Sequence, residues 1–476
     1  MLALRGIQDG AVTPARADSK QGCEMKLPKT GTPRDELLAE MQVLRSGDVD
    51  WRRGKTWSLV YFADDEITSL LKEAYTMFFS ENALNPMAFP SLRKFEAEVV
   101  AMTADFLGGT EAVGNMTSGG SESILLAVKT ARDRARSEQP HVTAPEMILP
   151  LTAHPAYEKA AHYFDLTPVH IPITPDLRAD AAAARAAVTD NTVLIVGSAP
   201  CYPYGVIDPI PELAAIAAER NISCHVDACL GGFVLPFLRR LGRDVPPFDF
   251  SVPGVTSISA DVHKYGFAAK GASTILYRDR SIRNHQFFAY SDWPGGLYGS
   301  PTMAGTRPGG AMAAAWAVMR HLGDEGYQRL ARKVMDVTQA LIDGVNAIPG
   351  LEVRGKPDMS VFAFGSDSVD VYAVGDAMDE RGWALDRLQM PPNLHMIVTP
   401  SHEAIIQPFL ADLEAATREA SAKGPTPSGT AAIYGMLGTL PDRGKVQDAI
   451  VAFLDGLDRL DRDPLTGAPL GTDAGS

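Results

Sequence analysis

Between residues 95 and 320 the chain alternates short continuous apolar runs with longer segments of helical spacing. The runs EMILPL, TVLIVGSAP, ISCHVDA, GVTSISA and STILYR are bounded by turn residues and predict buried strands. Between them, ESILLAVKTARDRA and IPELAAIAAERN carry the three-and-four spacing of helices. Strands alternating with helices predict repeated βα units, hence an α/β fold whose large domain, residues 96–320, holds a mainly parallel sheet. After GGAMAAAWAVMRHLG, a long helix at about 324–347, short strands in LEVRG and SVFAFGS, a helix near 369–382 and a strand around LHMIVT predict a smaller C-terminal α/β domain, residues 321–476. Residues 1–95 form an N-terminal arm and helical segment. There, PRDELLAEMQVLRSGD places Leu37, Leu38, Met41 and Leu44 on one side of a helix, with too little apolar surface for a separate core. The Gly- and Pro-rich tail from about 462 is expected to fray.

Composition narrows the function classes. Hydrophobic residues make up 45% and charged residues 21% of the 476, the balance of a globular protein of more than one domain. No apolar run reaches the roughly 20 residues that span a bilayer, and the first residues lack the apolar core of a secretory signal, so a soluble, cytoplasmic protein is expected. The four cysteines show no metal or redox spacing, and Cys201, Cys224 and Cys229 lie in apolar segments, which predicts buried thiols and no metal site. A net charge of −14 without a basic run excludes a nucleic-acid partner and leaves an anionic small molecule in a locally positive pocket.

Ligands of open α/β sheets gather beyond the carboxyl ends of the strands, which directs attention to four places. Lys264 follows GVTSISADVH, Asp227 ends a strand in HVDACLGG, TSGGSESILLAV feeds Gly120 and Ser121 into a helix start, and His154 follows EMILPL. Singly, each has an ordinary reading: a solvated loop lysine, a capping aspartate, a glycine-rich cap, a histidine closing a helix turn. Together they are the parts that hold pyridoxal 5′-phosphate. The helix start takes the phosphate, the imidazole stacks on the ring, the acid pairs with the pyridine nitrogen, and the lysine amine forms a Schiff base. For attack, that amine needs a pKa below its usual value of about 10.4, which burial and a nearby cation would supply.

The blocks FPSLRKFEAEVVAM, TSGGSESILLAVKTARD, GVIDPIPELAAIA, HVDACLGGF, GVTSISADVHKYGFAAKG, RNHQFFAYSDWPGGLYGSPTMAGTRPGG and AIYGM run in order through about four fifths of the chain. In them the sequence resembles the group II decarboxylase branch of the fold-type I pyridoxal-phosphate enzymes, and within it the sphingosine-1-phosphate lyases. The resemblance implies that Lys264 forms the Schiff base, Asp227 faces the pyridine nitrogen, His154 stacks, and Gly120 and Ser121 cradle the phosphate. It places His263 near that phosphate, and Gly305 and Thr306 on a loop reaching the neighbouring subunit's cofactor, hence a homodimer with shared active sites. Lys270 matches a lysine near the substrate phosphate, while Tyr202 and Tyr61 match tyrosines of bacterial members, Tyr61 arriving from the partner chain.

One departure bears on substrate. Where eukaryotic lyases read NPLHPDIFPG, this chain reads NALNPMAFPS, so Asn85 replaces a histidine that holds substrate phosphate. Asparagine donates a hydrogen bond without adding charge, shifting that task toward Lys270 and backbone groups. The activity implied is retro-aldol C2–C3 cleavage of a small amphiphilic substrate, a phosphorylated long-chain sphingoid base, to a fatty aldehyde and phosphoethanolamine. Tyr202, Lys270 and a cofactor phosphate oxygen all stand as candidate bases. The alternatives are an amino-acid decarboxylase of the same branch and a non-catalytic binding protein of this fold.

Overall fold

The computed structural model describes residues 27–423 and 440–458. The chain divides into a main unit, residues 50–427, and a small one of residues 1–49 with 428–476. In the small unit the expected amphipathic helix forms at Arg34–Arg45, and no residue of it is buried. A second helix spans Arg443–Asp455, opened by Asp442, whose carboxylate accepts from Gly444 N and Lys445 N. Cys23, the AIYGM block and the tail from 462 lie outside the described residues.

The main unit is built on a seven-stranded sheet. Its strands are β1 (Val113–Thr117), β2 (Glu146–Pro150), β3 (Thr167–Ile171), β4 (Thr192–Ser198), β5 (Ser223–Asp227), β6 (Ser257–Ala260) and β7 (Ser273–Tyr277), in spatial order β1-β7-β6-β5-β4-β2-β3. Neighbours from β6 to β3 pair in parallel, whereas β7 runs antiparallel to both β6 and β1. Every residue of β4, β5, β6 and β7 is buried because helices cover both faces, which is why these strands read as unbroken apolar runs. The helix Ile210–Glu219 packs on β4 and β5 and buries Ile210, Leu213 and Ile216, each worth about 2 kcal/mol by leaving water. The helix Gly120–Glu138 packs on β1, β5, β6 and β7.

An exposed hairpin, β8 (Phe288–Trp293) and β9 (Gly296–Ser300), follows the sheet. The helix expected at about 324–347 forms, and a further helical stretch from Gly309 leads into it across a kink at Gly323, where φ is +54°. Four antiparallel strands then form a smaller sheet, β10 (Glu352–Val353), β11 (Val361–Gly365), β12 (Asp386–Leu388) and β13 (Asn393–Ile397), in order β10-β11-β13-β12. The helices Val371–Asp379 and Ile406–Lys423 pack on each other beside it. Cys201, Cys224 and Cys229 are buried free thiols, as expected. Among the described residues no helix is long and apolar enough to cross a membrane.

The parallel strands bring distant parts of the sequence together. The carboxyl ends of β2, β4, β5 and β6 lie on one side of the sheet, and the residues just beyond them share one crevice.

Candidate active site

That crevice is a cavity of about 450 Å³, within the range of small-molecule sites. Gly120, Ser121, His154, Tyr202, Asp227, His263 and Lys264 all line it, although they lie as far apart in sequence as residues 120 and 264.

One wall is the start of the helix Gly120–Glu138. No side chain caps its first turn, which leaves N–H groups and the positive end of the helix dipole facing the cavity. A Cβ on Gly120 would stand 2.8 Å from Asp261 Oδ2 and 2.9 Å from Cys229 Sγ, so only glycine lets the helix start approach β6 this closely. Glu122 ties the turn to its surroundings: Oε2 accepts from Ser118 N and Oγ, both at 2.7 Å, and Oε1 accepts from Met303 N at 3.0 Å.

Asp227, the last residue of β5, is buried and accepts from Cys229 N at 3.1 Å and from Ser259 Oγ at 3.5 Å. Behind it His225 bonds Ser257 and Ser259, and burial drives its pKa down to about 4, so a neutral ring backs the carboxylate. His154 closes the helix turn, the ordinary reading of its position. Its Nδ1 accepts from Ala156 N at 3.1 Å, closing the turn before the helix Ala156–Phe164, while the ring lines the cavity. Burial, with the Lys264 charge, outweighs Asp227 and Asp261 and keeps that ring neutral.

The electrostatics of Lys264 correct the sequence expectation. Burial alone would lower its pKa, but the nearest charge is an anion rather than a cation: Asp261 Oδ2 lies 3.0 Å from Nζ. With Tyr61, Cys229 and Asp227 adding to it, the free amine is held well above its ordinary value and is charged. Asp261 is 1% exposed, and Lys264 and His263 outweigh its burial to keep it ionised. His263 accepts at Nδ1 from Ala272 N at 3.2 Å, and its Nε2 stands 3.7 Å from Asp261 Oδ2.

Tyr202 enters from the turn after β4. Its hydroxyl donates to Asp386 Oδ2 at 3.0 Å, and its ring stacks on His395 with centroids 4.3 Å apart. Tyr61, expected from a partner chain, instead stands beside its own chain's Lys264: it packs edge-on against Tyr265 at 4.9 Å, and its phenol feels the charges of Lys264 and Asp261. Lys270 holds its Nζ 5.0 Å from the Tyr61 ring centre and donates to His263 O at 3.4 Å. Partial burial, with the charge of Lys264, brings its pKa down to about 8.

Five of the expected positions do not line the cavity: Lys270 and Tyr61, which stand near Lys264, and Asn85, Gly305 and Thr306. Asn85 is exposed and accepts from Met87 N at 2.9 Å, a local turn bond. Gly305 and Thr306 are exposed too, and a Cβ on Gly305 would contact Leu84 at 3.8 Å. Conversely, sequence reading passed over Asp261, Glu122, Cys229 and Asp386. An acid three residues before the strand-end lysine was a signal for the first; Asp386, 184 residues from Tyr202, offered none.

The residues present fit pyridoxal phosphate. An uncapped helix start, a buried carboxylate at a strand end, a neutral imidazole and an amine face one space of suitable size. Comparison with known proteins agrees. Residues 17–366 match the pyridoxal-dependent decarboxylase conserved domain. Sphingosine-1-phosphate lyase of Oryza sativa subsp. japonica is 48% identical over 447 residues, covering 92% of this chain and 82% of that protein. The Arabidopsis thaliana protein of the same name is 49% identical over 430 residues, 88% and 79% of the two chains. The structure of a Burkholderia pseudomallei sphingosine-1-phosphate lyase superposes with a TM-score of 0.83 at 41% identity, covering 92% of this chain and 98% of that one.

Proposed function

Because this chain belongs to the pyridoxal-dependent decarboxylase family, in its sphingosine-1-phosphate lyase branch, we propose that it cleaves phosphorylated long-chain sphingoid bases between C2 and C3. The products are a fatty aldehyde and phosphoethanolamine. The observation that carries this reading is the extent of the likeness to the lyases: it continues past residue 366, where the decarboxylase domain match ends, through the small sheet that supplies Asp386 to the site.

When bound, pyridoxal phosphate supplies an electron sink for the pair released at C2. Around it each residue has a task. Lys264 would hold the cofactor covalently, Asp227 would keep its pyridine nitrogen protonated, and the neutral His154 ring would pack against it without competing for that carboxylate. Ser121 and Gly120 offer N–H groups to its phosphate, with His263 alongside. Lys270 and Tyr61, in contact with each other, meet the substrate's polar head, and Asn85 adds a neutral donor to its phosphate.

The active form in this reading is a homodimer that contributes Gly305 and Thr306 across the interface, and its compartment is the cytoplasm. Exposed apolar side chains near the loop support the dimer: Leu84 and Met303 beside it, and Phe288, Trp293, Leu297 and Tyr298 on the hairpin.

The test is product identification. Purified, cofactor-loaded protein given a phosphorylated sphingoid base is expected to release aldehyde and phosphoethanolamine in equal amounts, and Lys264→Ala to release neither. Carbon dioxide from an amino-acid panel with no aldehyde from the base would establish the decarboxylase alternative instead.

A further inference from the structure

The three candidate bases for the C3 hydroxyl are not equivalent once the surroundings of Tyr202 are taken into account. Its hydroxyl hydrogen is committed to Asp386 Oδ2 at 3.0 Å, and Asp386 is not part of the cavity wall. The lone pairs of that phenol oxygen are therefore free to accept from a substrate hydroxyl in the cavity that Tyr202 lines. Asp386 takes a hydroxyl on its other oxygen as well, Ser58 Oγ at 3.2 Å, so both its ligands are neutral donors.

Three further contacts hold the pair in place. His395 stacks on the Tyr202 ring and bonds its carbonyl through Nε2 at 2.8 Å, and it lies directly across from Asp386 in the β12–β13 pairing. Burial takes the His395 ring down to about 4, so it is a neutral support that leaves the Asp386 charge for the phenol. The turn carrying Tyr202 is itself pressed against the small sheet: Gly205 has φ +68°, and a Cβ there would sit 1.8 Å from Val361 O. Burial foremost, then Asp386, also raise the Tyr202 pKa, so this phenol takes a proton only as it gives one up.

We infer that Asp386 is the positioning residue of Tyr202 and the far end of a two-proton relay that accepts the substrate's C3 hydroxyl proton. The inference rests on the proposed retro-aldol cleavage. In the step, the C3 O–H proton moves to Tyr202 Oη while the Tyr202 hydrogen moves to Asp386 Oδ2. The O–H electron pair becomes the second bond of the new C3=O, and the C2–C3 pair leaves with C2. Proton balance closes when one proton returns to C2.

Asp386→Asn tests it, because asparagine keeps an acceptor oxygen for Tyr202 but does not take up a proton. With phosphorylated sphingoid base, kcat is expected to fall about 100-fold, the range of general acid–base contributions, with KM within about twofold. Tyr202→Phe should fall comparably, and the double variant no further than Tyr202→Phe alone, since the two act in series. Retention of kcat within about threefold in Asp386→Asn, or losses that multiply in the double variant, would overturn the relay. So would a loss of kcat that tracks a lowered thermal midpoint and lost cofactor absorbance, which marks a purely structural role. A second measurement needs no substitution. Single-turnover cleavage by the unmodified holoenzyme in mixtures of light and heavy water should depend on deuterium fraction along a bowed line, the mark of two protons in flight; a straight line refutes it. If the unmodified enzyme makes no aldehyde at all, it is the retro-aldol reading that fails.

Discussion

Lys270 shows how a residue's neighbours set its working range. Its ammonium, partly buried and facing the charge of Lys264 with Asp261 in partial opposition, titrates near 8 instead of at the usual 10.5. The charge is present below that pH and lost above it. If Lys270 grips the substrate phosphate, KM for a phosphorylated base should climb as pH passes 8, while the unphosphorylated base shows no such climb. Lys270→Arg, which keeps its charge throughout, should flatten the profile. Steady-state kinetics from pH 6.5 to 9.5 would decide it, and identical profiles for the two bases would remove Lys270 from phosphate binding. Lys264 makes the opposite case. Its position was legible because a lysine follows a buried strand, but its charge state was not, because Asp261 lies within 3.0 Å only through the local fold of the ADVHK turn. An aspartate at a strand end reads as a cap until the direction of its carboxylate is known.

At the scale of elements, the helix Gly120–Glu138 depends on its first residue. Alanine is the better helix former, so Gly120→Ala should keep the helix itself. Its Cβ, however, would meet Asp261 and Cys229 inside 3.0 Å and push the helix start out of the cavity. Pyridoxal phosphate affinity should then fall at least about tenfold, read from absorbance titration of the apoprotein; unchanged affinity would move the phosphate away from this turn. Element visibility in the sequence followed burial. Strands β2, β4, β5, β6 and β7 announced themselves because most or all of their residues are buried, so nearly every position is apolar or small. Strand β3, TPVHI, is an edge with mixed exposure and tolerates Pro168, while β1, VGNMT, carries glycine and asparagine. The hairpin β8–β9 is exposed almost throughout, so no buried side imposed an alternation to read.

The whole molecule raises the question of assembly. Gly305 and Thr306 lie outside the chain's own cavity, and a hairpin rich in exposed aromatic side chains follows the main sheet. In the dimeric reading, sedimentation should give twice the chain mass, and Leu297→Asp on the hairpin, where that leucine is 89% exposed, should shift the protein toward monomer and reduce lyase activity together. A fully active monomer would separate the loop from catalysis. What the amino-acid order determined by itself was local: which segments become buried strands and helices, and that Lys264, Asp227 and His154 stand at or just past strand ends and Gly120 at a helix start, because apolar periodicity and turn chemistry act over a few residues. Only the tertiary structure decided the rest: the ion pair at Lys264, the neutrality of His154, Tyr61 beside its own chain's lysine, and Asp386 behind Tyr202. Distance and burial control charge and proton transfer, and both are properties of folded space that spacing along the chain does not carry.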